Sequence, residues 1–127
     1  MKTLKALIAA SIMVTSVNLM AEINIAGCTK DKFVMGSDVN QITTSGTNFT
    51  PKCIRVKAGA TVAIQGSNHH PLSAMADIGG AQNPFATTMA ATEPQTRKMD
   101  QPGTYGYFCE NQGDPSGSGM AGVIVVE

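Results

Sequence analysis

Cys109 and Met120 stand at the two ends of a glycine-rich stretch, Cys109-Glu-Asn-Gln-Gly-Asp-Pro-Ser-Gly-Ser-Gly-Met120, with ten residues between them. Thiolate and thioether are soft donors of the kind that select copper, and they do so best in company with imidazole. The only two imidazoles of the chain, His69 and His70, lie upstream in Asn68-His-His-Pro-Leu72, directly after a β-prone run at 61–65. A copper site is therefore the leading reading, with Cys109 bound as thiolate, the form that ligates metal. Pro71 restricts the backbone of the residue before it, which favours His70 as the fixed imidazole. Adjacent residues of an extended segment point to opposite faces, so His69 is read as a spare. Met120 suits a weak, long axial bond. Gln112 stands where a second imidazole would be wanted; its amide oxygen is a known axial donor but a harder and poorer equatorial one. Weakened Cu(II) binding and a bias toward Cu(I) follow. Met75 and Met89 could add thioethers, although loop methionines more often fill packing gaps.

The elements that must position these residues are short. Runs at 39–44, 52–57, 61–65, 96–99, 104–109 and 121–126 are rich in β-formers and separated by turn residues, the pattern of an all-β antiparallel sandwich or barrel. Ala58-Gly-Ala60 and Gln101-Pro-Gly103 read as hairpin or Greek-key corners. A further strand is expected before Cys28. Residues 73–95, with Gly79-Gly80, Pro84 and Pro94, show no clean period and are left as a long loop with room for a helical turn.

Residues 1–21 read as a secretory signal: Lys2 and Lys5 precede an almost uncharged apolar run ending at Ala21. That run is shorter than the ~20 residues a membrane span needs. The mature chain, 22–127, is of a size for one domain. The whole chain has nine basic and nine acidic residues; without Lys2 and Lys5 the balance is seven to nine, a net charge of −2. No basic field exists to hold nucleic acid or anionic lipid. Three cysteines in an exported chain leave one over after a single bridge. Cys109 is assigned to metal, and Cys28 with Cys53 to a disulfide. The alternative is that Ile25-Ala-Gly-Cys28 is a lipoprotein cleavage box, an alternative weakened because Glu22 and Asn24 interrupt the apolar run before it. No catalytic triad, G-x-x-x-x-G-K or H-E-x-x-H run is visible, so an enzyme is not expected.

Four segments together carry a family resemblance. Thr50-Pro-Lys-Cys-Ile-Arg-Val-Lys-Ala-Gly-Ala-Thr-Val62, His70-Pro-Leu72, Gly103-Thr-Tyr-Gly-Tyr-Phe-Cys109 and Gly119-Met-Ala-Gly-Val-Ile-Val-Val126 occur in this order across most of the mature chain. In this the chain resembles the cupredoxins, the plastocyanin and azurin family of small blue copper proteins. The resemblance implies a Greek-key β-sandwich with copper near one end. It also implies a periplasmic one-electron carrier, monomeric, that meets redox partners such as a cytochrome or an oxidase. His70, Cys109 and Met120 match ligand positions of the family; Gln112 departs from it, since a histidine commonly stands there. Three functions are thereby set apart: an electron carrier with an altered type 1-like site, a Cu(I) carrier for copper homeostasis, and a metal-free interaction module.

Overall fold

The computed structural model describes residues 24–85 and 94–127; the signal segment 1–21 and Met89 lie outside them. Among the described residues nine strands form two facing sheets: β1 (Val34–Met35), β2 (Val39–Ser45), β3 (Asn48–Thr50), β4 (Cys53–Val56), β5 (Ala60–Ile64), β6 (Leu72–Ala74), β7 (Gln95–Met99), β8 (Gly103–Gly113) and β9 (Gly119–Val126). One sheet has the order β1-β4-β9-β8-β6 and the other β3-β2-β5-β7. The expected all-β sandwich is what forms. Its sheets are mixed rather than purely antiparallel, because β1 with β4, β2 with β5 and β4 with β9 pair in parallel.

Strict alternation builds the core. β5 buries Ala60, Val62 and Ile64 and leaves Thr61 and Ala63 half-exposed, the period of two that one apolar face demands. These residues share the main core with Ile42 of the adjacent β2 and with Leu72, Tyr107 and Ile124 of the facing sheet. β9 is buried on both faces, because Ala121, Val123 and Val125 point to the outer side of their sheet and pack in a second cluster with Phe108 and Met75. Met75 is thus a packing residue, 5% exposed and lying against Gly106.

The two glycine turns are corners between sheets. Ala60 N–H donates to Lys57 O at 3.0 Å, with Gly59 at φ +94°, as the chain leaves β4 for β5. At the other corner the Tyr105 hydroxyl donates to Gln101 O at 2.5 Å and clamps the passage from β7 to β8.

Three departures from the sequence reading are found. Among the described residues no strand precedes Cys28; Ile25 and Cys28 form an isolated bridge around a tight turn in which Ala26 and Gly27 have φ +56° and +74°. Residues 73–95 are not wholly loop, since Leu72–Ala74 pairs with β8. The edge strands β1 and β3 were unforeseen. Cys28 and Cys53 are joined, Cα to Cα 5.6 Å, across 25 positions. The bridge consumes the thiol that lipidation of Cys28 would need.

Candidate metal centre

His70 is set by a narrow turn. Its N–H donates to Ser67 O at 3.0 Å and lies 3.1 Å from Ser67 Oγ, while Ser67 N–H donates to His70 O at 3.2 Å. Asn68 and His69 form the exposed tip, and His70 returns toward the sheet. Leu72, two residues on, pairs with Cys109 in register and is buried in the main core. The residues on either side of His70 are tied to β8: Asn111 Nδ2 donates to His69 O at 3.2 Å, and Glu110 N–H donates to Pro71 O at 2.9 Å. Ser73 Oγ adds a third tie by donating to the Glu110 carboxylate.

Cys109 sits where β8 stops keeping step with β9. Phe108 pairs with Ala121 and Gly113 with Gly119, so four residues of β8, Cys109 to Gln112, face the single residue Met120. A surplus of this kind bends the strand and re-aims its side chains. The bend is possible because glycine closes it. A Cβ on Gly113 would lie 2.3 Å from Met120 O, and one on Gly119, at φ +72°, 2.2 Å from Gln112 O. Cys109 is fully buried and Met120 2% exposed in the same core cluster, whereas Gln112 reaches the surface.

The bend brings three of the four candidate donors together. Cys109 Sγ is 3.7 Å from His70 Nδ1. The Gln112 amide oxygen accepts from Sγ at 3.1 Å and stands 2.7 Å from Nδ1. Met120 faces the bulge from β9 within the same buried cluster. His69 does not join: it is exposed at the turn tip, held apart from His70 by the bend rather than by the alternation of an extended segment. Among the described residues no three His, Cys, Asp or Glu side chains cluster as a metal site. Any metal held by His70 and Cys109 is thus completed by Gln112, Met120 or solvent.

The donor spacing suits a metal ion. Bonds of ~2.3 Å to sulfur and ~2.0 Å to nitrogen, as for a first-row divalent ion, place the two atoms ~3.7 Å apart at a trigonal angle. That is the separation observed. The Gln112 oxygen, within hydrogen-bond distance of both atoms, would add a hard, weak donor to a metal held by them.

Residues 36–127 match the family model for copper binding proteins of the plastocyanin/azurin family. The chain belongs to this family. Plastocyanin of Scenedesmus fuscus is 33% identical over 87 residues, covering 62% of this chain and 86% of that protein. Among solved structures, the copper-containing nitrite reductase NirK from Thermus scotoductus SA-01 superposes with a TM-score of 0.57 at 19% identity, over 76% of this cupredoxin and 28% of the reductase chain. Native pseudoazurin from Hyphomicrobium denitrificans gives 0.54 at 17% identity, over 69% and 74% of the two chains. At such identities the two superpositions speak for the sandwich alone. Copper is the cofactor that the family assigns to this cupredoxin.

The ties around His70 leave no pattern in the sequence. Ser67 closes the His70 turn locally, while Asn111 and the pair Ser73 and Glu110 tie the segment around it to β8 from far along the chain. The proline after His70 was the visible part of that arrangement.

Proposed function

We propose that residues 22–127 form one exported copper domain that carries single electrons, with His70, Cys109, Gln112 and Met120 as the metal's donors. The observation that carries this reading is the approach of Cys109 Sγ, His70 Nδ1 and the Gln112 oxygen to within 3.7 Å of one another at the end of the sandwich. Bound there, copper supplies a one-electron couple between Cu(I) and Cu(II). The chain's part is to hold the donors still. Cys109 is buried on a paired strand. His70 is bracketed by hydrogen bonds on both sides, and Gln112 caps the pair. Little reorganisation on gain or loss of an electron is the property such bracing provides, and the reading assigns no substrate turnover.

An apolar leader at 1–21 and a disulfide between Cys28 and Cys53 suit an oxidising compartment, here the periplasm. Among the described residues no helix is long and apolar enough to cross a membrane. Partners by this reading are redox proteins such as a cytochrome or oxidase, met by a monomer at the surface around Gln112 and His69. The exposure of Gln112, with soft sulfur donors behind it, favours a second reading, a Cu(I) carrier that hands its metal on. Voltammetry of the copper-loaded chain separates the two. The electron carrier gives a reversible one-electron wave that Cys109→Ser abolishes. Tight Cu(I) binding without a reversible wave contradicts it.

A further inference from the structure

The hairpin that carries Cys109, Gln112 and Met120 does not stand free at its tip. Between Gly113 and Gly119 the chain turns through Asp114 to Ser118, closed by Gly117 N–H to Asp114 O at 3.0 Å and Asp114 N–H to Ser118 O at 3.2 Å. Within this turn Gly117 is buried although its neighbours Ser116 and Ser118 are exposed. What covers it is the amino-terminal hook: a Cβ at Gly117, whose φ is +91°, would lie 2.9 Å from Ala26 N and 3.2 Å from Ile25 Cγ2. The hook is held in turn by its own tight turn, Cys28 N–H to Ile25 O at 2.8 Å, and by the bond from Cys28 to Cys53. Cys53 opens β4 and pairs with Val123 of β9, so the clamp runs from the hairpin tip back to the sheet that bears Met120.

We propose that the disulfide-anchored hook is a brace for the metal-binding hairpin: Ala26 and Gly117 are positioning residues that keep the tip closed and so hold Gln112 and Cys109 in register with His70. The proposal deepens the metal-site reading and rests on it for its functional meaning. Covalent anchoring remote from the donors would then govern how readily the buried thiol and its cap come apart.

The test is made on the full mature chain without metal, so it decides the brace whether or not copper binds. Cys109 is the sole free thiol both in the bridged chain and in the variant Cys28→Ser/Cys53→Ser, and its rate of alkylation by iodoacetamide reports opening of the hairpin. Because loss of the bridge can weaken the whole fold, Gly117→Ala is compared with Gly59→Ala. Gly59 has φ +94° with nothing within 4 Å of a built Cβ, so both variants carry the same backbone strain and only one strikes the hook. Local opening of the hairpin raises the alkylation rate by about tenfold or more in Gly117→Ala over Gly59→Ala, and likewise in the double serine variant over the unaltered chain. Equal rates for the two alanine variants, together with an unchanged rate in the double serine variant, overturn the brace.

Discussion

At Gln112 one amide oxygen meets both the thiol of Cys109 and the ring of His70, and this contact sets the character of the site. An amide oxygen is a weaker partner for Cu(II) than imidazole, so in the proposed donor set the sulfur donors would dominate and the lower oxidation state would be favoured. Gln112→His is expected to tighten Cu(II) binding by about tenfold or more, ~1.4 kcal/mol, and to strengthen the visible thiolate-to-copper band. Competition with a chromophoric chelator measures it, and an unchanged affinity would remove Gln112 from the donor set. Tyr107 presents a different problem deeper in the core. It is fully buried, lies edge-on to Phe49 with ring centroids 4.8 Å apart, and its hydroxyl has no hydrogen-bond partner among the described residues. Burial pushes its phenol far above the ordinary value of 10.0. A group whose proton is held more tightly when folded contributes fully below the free value and loses its contribution as pH climbs above it. Urea unfolding should therefore show stability falling above pH 10.0 in the native chain. In Tyr107→Phe the decline should be shallower, with stability at neutral pH equal or higher, since an unpartnered hydroxyl leaves the core.

Among the elements, the hairpin of β8 and β9 does most to create the site, and its decisive feature is the four-for-one mismatch between Phe108 and Gly113. The residues on either side were readable as strands from their β-branched and aromatic content. The mismatch was not, because it exists only once the register of the two strands is fixed by pairing. The same holds for β6, three residues long, which escapes a periodicity argument, and for β1, which has only two. The strand β3 left a trace that was passed over: Ser45 pairs with Asn48 around Gly46 at φ +59°, a two-residue hairpin for which glycine is a natural signal. Cys109 and His70 could be picked out because the chain has only three cysteines and two histidines, whereas Met120, one of eight methionines, is marked by its place at the end of the glycine-rich stretch. Asn83 shows how the loop expected over 73–95 is held. Its Nδ2 donates to Met75 O and Gly106 O at 3.1 and 2.9 Å, and its Oδ1 accepts from Phe85 N–H at 3.1 Å. Asn83→Ala removes the side-chain donor to Met75 O and one of the two donors to Gly106 O, which keeps Met75 N–H, and a loss of roughly 1–3 kcal/mol is expected. Thermal unfolding would show this as a midpoint lowered by several degrees, whereas an unchanged midpoint would mean that the loop is held by its apolar contacts alone.

For the molecule as a whole, a sandwich with few large aromatics and thirteen glycines gains from a covalent tie. The bridge from Cys28 to Cys53 closes a loop of 25 positions, and removing it should cost between ~3 and ~4.7 kcal/mol in the chain-entropy model. That is a large share of the ~5–15 kcal/mol typical of a domain. Chemical unfolding of Cys28→Ser/Cys53→Ser measures it, and a loss under ~1 kcal/mol would show that the unfolded chain gains little freedom when the tie is cut. Three of the four candidate donors lie on one sheet and His70 in the turn that leads into it, the copper-binding family is the one to which the chain belongs, and the central claim is that Cys109 and His70 hold copper there together. The most direct measurement is the visible absorption and copper content of the mature chain after addition of Cu(II), beside Cys109→Ser. The account predicts one copper per chain and an intense thiolate-to-copper band that the serine variant lacks. A colourless chain that takes up no copper, or a copper complex indifferent to Cys109→Ser, would contradict it.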